Sequence, residues 1–247
     1  MNIKLRQLLL IISTAFLTAP VAYAETPQPT AEQIKLVKDQ VKYKTYIPKS
    51  YVLYEAVEGD LNKDGKSDAV LIIKGTDPKQ WVDHEYRGKL DRNRRGIIIL
   101  LNQGAKNQQT QYTKYLQNLD CFSSENEEGG VYFAPELWVE IDKGILDIHY
   151  GHGRYGYWRY LFRLQDQDMR LIGYDDSNNF GPYIKSETSI NFLTGRKVYR
   201  KNMNETVDDD ADPKFKETWQ SFDLEPIYLS KIKDFDEIDF GIPDMEN

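Results

Sequence analysis

Tyr157-Trp158-Arg159-Tyr160-Leu161-Phe162-Arg163-Leu164 is the stretch that decides the fold class. Trp158, Tyr160, Phe162 and Leu164 take alternate positions, with Arg159 and Arg163 between them. Side chains of a strand point by turns to opposite faces, so this period of two describes a strand with one apolar face and one face in water. A helix would scatter the same four apolar residues around its axis. Asp166-Gln167-Asp168 supplies a turn, and residues 169–174 return as the partner strand.

Working outward, the same pattern recurs. Residues 136–142 and 145–150 are joined by Lys143-Gly144, a tight hairpin signal. Residues 189–193 and 197–200 flank Thr194-Gly195, and further strands are expected at 112–119 and, at a sheet edge, at 227–229. Residues 202–216 read as a polar loop carrying Asp208, Asp209, Asp210 and Asp212. Gly96-Ile97-Ile98-Ile99-Leu100-Leu101 is apolar on both faces and so reads as a central strand. Before it, residues 75–95 hold Trp81, His84 and the cluster Arg87, Lys89, Arg92, Arg94 and Arg95, a polar excursion between strands. Near the start, Thr30 followed three residues later by Gln33 has the form of a capping box, and Ile34, Val37 and Val41 fall on one helical face before Pro48. The expected fold is mainly β, with antiparallel strands and hairpins in a single domain over residues 25–247 and a short N-terminal helix. No period of 20 to 50 residues repeats, which argues against a propeller.

Residues 1–24 have the form of a secretory signal peptide. Lys4 and Arg6 precede the apolar run 8–17, and Ala22-Tyr23-Ala24 supplies the small-x-small cleavage pattern before Glu25. The run is too short to span a bilayer, Pro20 breaks the apolar stretch near its end, and no Cys stands where a lipoprotein signal needs one. A bacterial periplasmic or secreted protein is expected, with no transmembrane segment in the mature chain. Acidic residues outnumber Lys plus Arg by 39 to 32, and without the charges of Lys4 and Arg6 the net charge falls from −7 to −9. Such a chain is not expected to bind nucleic acid or an anionic membrane nonspecifically. Cys121 is the single cysteine, which excludes an internal disulfide. The 17 Tyr, 10 Phe and 4 Trp favour strands and also suit a surface that grips sugars or peptides.

The segment that calls for a specific chemistry is Gly59-Asp60-Leu61-Asn62-Lys63-Asp64-Gly65-Lys66-Ser67-Asp68, followed by the apolar run 69–73. Oxygen-bearing side chains fall at loop positions 1, 3, 5 and 9 as Asp60, Asn62, Asp64 and Asp68, with a Gly after position 5 and the Lys66 carbonyl as a further donor. Ca²⁺ takes six to eight oxygens, and alternate Asp and Asn side chains can wrap one ion. Position 12, which in an EF-hand carries a bidentate Glu, is Leu71 inside an apolar strand, so a strand–loop–strand connection is expected, without a following helix. The loop resembles the Asp-x-Asn-x-Asp-Gly-x-x-Asp loops of dockerins, integrin propeller repeats and FG-GAP/VCBS repeat proteins, which commonly lead into a strand. A polar hairpin loop without metal is the plainer alternative.

Tyr150-Gly151-His152-Gly153-Arg154-Tyr155-Gly156-Tyr157-Trp158 crowds aromatics, two cations and glycines into one connection. Its Gly-x-Gly-x-x-Gly is not a dinucleotide fingerprint, because a strand and not a helix follows. It is read either as a glycine-eased turn with packed tyrosines or as a partner surface formed by His152, Arg154, Tyr155, Tyr157 and Trp158. No catalytic motif is present, and no catalytic residue is assigned. A zinc site would need His84, His149 and His152 from two segments, a spacing that gives it no support; His149, between Ile148 and Tyr150, reads as a satisfied strand histidine. A Cys121 nucleophile with His152 as base is weighed against Cys121 as a small packed residue, which is preferred.

Gly130-Val131-Tyr132-Phe133-Ala134-Pro135, the stretch His152 to Trp158, Leu171-Ile172-Gly173-Tyr174-Asp175 and Ser189-Ile190-Asn191-Phe192-Leu193-Thr194-Gly195 together resemble exported bacterial proteins that pair one such calcium loop with a later run of strands. That family has no assigned activity, so the resemblance implies architecture. The expected function is non-enzymatic, calcium-dependent recognition of a cell-envelope protein or glycan, in the manner of an inhibitor or immunity protein. The alternative is a hydrolase acting on envelope polysaccharide or peptide.

Overall fold

The computed structural model describes residues 29–107, 109–126, 136–204 and 212–243. The leader at 1–24, the stretch Gly130 to Pro135 and the aspartates at 208–210 lie outside them. Helix α1 (Ala31–Tyr43) opens the described chain. Strands β1 (Tyr51–Gly59) and β2 (Asp68–Gly75) form the first hairpin, followed by the small pair β3 (Trp81–His84) and β4 (Gly88–Asp91). Then come β5 (Arg95–Lys106), β6 (Gln109–Phe122), β7 (Glu136–Asp142), β8 (Ile145–Gly151), β9 (Gly156–Gln165), β10 (Asp168–Phe180), β11 (Tyr183–Asn191), β12 (Arg196–Asn202) and β13 (Phe215–Ser221). All named pairings are antiparallel. They make a four-stranded sheet ordered β1-β2-β5-β6 and a seven-stranded meander ordered β13-β12-β11-β10-β9-β8-β7.

The layers follow from the apolar pattern. In β2 and β5, the two inner strands of the smaller sheet, successive residues are buried on both faces. Ala69, Leu71, Ile73, Ile98 and Leu100 meet Tyr43 of α1 together with Leu53 and Ala56. Their neighbours Val70, Ile72, Ile97 and Ile99 point the other way, onto Leu146, Ile148, Tyr160 and Phe162 of the larger sheet. The order is therefore helix, small sheet, large sheet. The alternation in β9 holds as read, with Trp158, Tyr160 and Phe162 in this core. Arg95, 1 % exposed, ties the sheets together by donating to the Ser123 carbonyl and to the Tyr150 hydroxyl.

A C-terminal segment closes the larger core. Leu229, Ile232 and Phe235 are buried there, Phe235 stacks on Phe122 at 4.6 Å, and the Tyr160 hydroxyl donates to the Phe235 carbonyl at 3.0 Å. Asn118 donates to the carbonyls of both Leu229 and Ile232 at 2.7 Å. The edge strand expected at 227–229 is only an isolated bridge between Tyr228 and Arg170, since the chain turns at once into a short 3₁₀ helix.

Three further elements depart from the expected pattern. The 75–95 excursion contains the β3–β4 hairpin, and the loop read over 202–216 runs into β13, an edge strand exposed on most of its length. In α1 the capping box forms as expected, but Ile34, Val37 and Val41 face water at 43, 61 and 77 % exposure, while Tyr43 and Asp39 are buried. Tyr43 packs on Tyr112 and donates to Glu58 at 2.8 Å, and Lys35 bridges Asp39 to the Ala56 carbonyl. One large ring with a satisfied hydroxyl outweighs three smaller aliphatic side chains. Among the described residues no helix is long and apolar enough to cross a membrane.

Candidate functional site

The loop between β1 and β2 is wound by its own side chains. Asp60 accepts from the backbone N–H groups of Asp64 at 3.1 Å and Gly65 at 2.9 Å, Asn62 accepts from Asp64 at 3.0 Å, and Asp64 accepts from Lys66 at 2.9 Å. These bonds curl residues 60–66 so that the side chains at positions 1, 3 and 5 share one concave turn, with Gly65 at φ +80°, a conformation that disfavours a Cβ. Leu61 anchors the loop in the large core, and the Lys63 stem lies directly over Gly144 in the β7–β8 turn. The loop is thus held against the second sheet.

Asp68 plays a different part. It is fully buried, and its carboxylate accepts from Leu61 N–H at 2.9 Å, from Asn62 N–H at 3.4 Å and, across the sheet, from Asn102 N–H at 2.8 Å. The structure therefore separates Asp68, a pin between the loop and the end of β5, from Asp60, Asn62 and Asp64 at the exposed turn. Lys66 donates its ammonium to Asp64 at 2.9 Å, and this bond holds the Asp64 carboxyl below its ordinary range. A cation bound there would have to displace that ammonium. Among the described residues no three His, Cys, Asp or Glu side chains are gathered in a form that would hold a metal ion. What the loop offers is two carboxylates, an amide oxygen and a carbonyl, a hard all-oxygen set that suits Ca²⁺ and not a transition metal.

The connection from Tyr150 to Trp158 divides into an outer and an inner part. Gly153–Tyr155 forms a short 3₁₀ turn with Arg154 exposed and Tyr155 55 % exposed. His152 and Tyr157 are half-buried. Trp158 belongs to the core: it stacks on Tyr150 at 4.6 Å and donates Nε1–H to Asp236 at 3.1 Å, so it is withdrawn from any partner surface. Gly156 is required where it stands, since a Cβ there would lie 1.7 Å from the Ser177 carbonyl oxygen. Burial pushes the His152 pKa down against the pull of Asp236.

The remaining candidates are dispersed. Cys121 is buried, burial pushes its thiol up, and its Sγ lies 3.5 Å from the Asn118 carbonyl, the surroundings of a packed residue. His84 accepts from Tyr86 and Arg87 N–H in the β3–β4 turn.

A cluster that the linear reading did not assemble lies on the outer face of β7, β8 and β9. Cross-strand pairing puts Trp138 opposite His149 and His149 opposite Arg159, with Glu140 opposite Asp147 one step along. His149 stacks on Tyr157 at 4.8 Å and leans on Trp138 at 5.2 Å, and Arg159 forks onto Asp147. Trp138, Glu140, Asp147, His149 and Arg159 border an open hollow of about 250 Å³. The signal was present in the polar phase of the three strands, but only the register brings them together.

Comparison with protein-family models, with curated proteins and with solved structures gave no match.

Proposed function

We propose that this chain is an exported calcium-binding β protein that recognises a partner in the cell envelope without catalysing a reaction on it. The observation that carries the reading is the loop 60–66, whose Asx-type bonds gather the Asp60, Asn62 and Asp64 oxygens around one turn, with the Lys66 carbonyl as the further donor the spacing offers. One Ca²⁺ bound there, replacing the Lys66 ammonium on Asp64, would be held by these groups, with Asp68 keeping the loop in place. The ion's part is structural: it braces the β1–β2 connection against the β7–β8 turn. Arg154 and Tyr155, carried outward on the turn before β9, supply a cation and an aromatic face to a partner. Export rests on the leader at 1–24.

Thermal unfolding of the chain lacking residues 1–24, in calcium and in chelator, tests the reading. An ion that binds only the folded form adds about 2.7 kcal/mol at a hundredfold excess over Kd, which in a domain of this size raises Tm by roughly 5–10 °C. Asp64→Ala is expected to abolish the rise. Identical melting in calcium and chelator overturns the proposal.

A further inference from the structure

We propose that the outer face of β7, β8 and β9 is a carbohydrate-binding subsite that seats one pyranose ring of a glycan on the indole of Trp138. The inference rests on the recognition reading above and gives it a ligand class, at a surface separate from the calcium loop.

Trp138 is 50 % exposed although its ring is held on one side. A Cβ at Gly151 would meet its Cζ3 at 3.0 Å and Cη2 at 3.4 Å, so the indole lies over a glycine backbone, with His149 tilted against it. Half of the side chain remains open to water, and it borders the hollow with its position set by these contacts. A flat apolar face in a fixed position lowers the ordering cost of binding. Polar groups stand beside this platform: the Glu140 carboxylate, exposed and without a hydrogen bond or ion pair to the described residues, and the Asp147–Arg159 pair.

The chemistry of the wall selects among ligands. An anion would meet Glu140 and Asp147, and a cation would meet the Arg159 guanidinium. A wholly apolar ligand would leave Glu140 without a partner and strip water from the Asp147–Arg159 pair, at a cost that rises as water is excluded. A neutral ring with C–H bonds on one face and hydroxyls at its edge satisfies each requirement: the C–H face lies on the indole, and vicinal hydroxyls donate to the carboxylates and accept from Arg159. A hollow of about 250 Å³, smaller than a drug-sized pocket, suits one ring of a chain that continues over the open sheet.

Tryptophan fluorescence and calorimetric titration of the mature chain with two neutral probes, a β-1,4-linked glucose trimer and a β-1,4-linked N-acetylglucosamine trimer, test the proposal, with tetramethylammonium as the cationic control. Saturable binding of either trimer is expected, weakened tenfold or more by Trp138→Ala. Glu140→Gln, which keeps a hydrogen-bonding oxygen, is expected to weaken sugar binding only a few-fold. Binding of tetramethylammonium without either sugar, lost in Glu140→Gln, overturns the proposal in favour of a cation cage, and binding of none of the three overturns it outright. The calcium-dependent rise in Tm is independent of these titrations, so failure here leaves the calcium reading standing, and the reverse also holds.

Discussion

Two aspartates of one loop, four residues apart, are set different tasks. Asp68 is buried and occupied by three backbone N–H groups, whereas Asp64 stands in water. Asp68→Ala strands those donors, and hydrogen bonds to a charged acceptor contribute about 1.5–3 kcal/mol each, so a loss of about 3 kcal/mol or more is expected in chelator and in calcium alike. Asp64→Ala is expected to melt like the parent in chelator and to differ only when calcium is added. Equilibrium urea unfolding in both buffers separates the two, and equal behaviour of the variants would remove the distinction. The spacing of the loop was legible because each residue type at positions 1, 3, 5 and 6 carries its own local geometry. The division of labour was not, because the Asn102 N–H that occupies Asp68 comes from 34 residues downstream. Trp158 teaches the same lesson, since its aromatic neighbours in sequence look like a surface until Tyr150 and Asp236 close on it.

At the scale of elements, helix α1 was legible in its start and misread in its facing. Capping is local, and Thr30 and Gln33 carry it. Which face packs depends on Tyr112, in a strand 69 residues beyond Tyr43, and on Glu58, which takes the Tyr43 hydroxyl. Tyr43→Ala is therefore expected to cost about 3–5 kcal/mol, while Val41→Lys changes stability by less than about 0.5 kcal/mol. Denaturant midpoints decide, and a large loss in Val41→Lys would mean that the helix packs through the other stripe. Strand β9 was legible because one face is apolar throughout. Strand β13 was missed because an edge strand in water on most of its length carries no phase, and Phe-Lys-Glu-Thr-Trp-Gln-Ser reads as a loop until its register with β12 is known. The β7–β9 hollow escaped for a related reason: each strand contributes one or two polar side chains, and none is unusual alone.

For the whole molecule, the histidines set the first response to acid. Burial lowers the folded-state pKa of both His149 and His152 below 6.5, so between that value and the folded pKa values the unfolded chain holds more protons. Their contribution is complete above about pH 6.5 and is lost as pH falls through the folded values. Asp147 and Glu140 raise His149 and Arg159 lowers it, while Asp236 raises His152, yet burial outweighs them. Urea midpoints measured from pH 8 to 5 are expected to decline below pH 6.5, and the double variant His149→Gln, His152→Gln to hold flat until the carboxylates titrate. An unchanged slope in that variant would assign the decline elsewhere. The order of the chain sets a different limit. Leu229, Ile232 and Phe235 seal the core yet follow all thirteen described strands. A growing polypeptide that has delivered every one of those strands still lacks the Phe235 ring against Trp158, Tyr160 and Phe162, so vectorial synthesis cannot complete the native state strand by strand. Until those last contacts arrive the core stays open on one side, and after one proteolytic cut between Ser221 and Leu229 the C-terminal plug would be held by its noncovalent contacts alone.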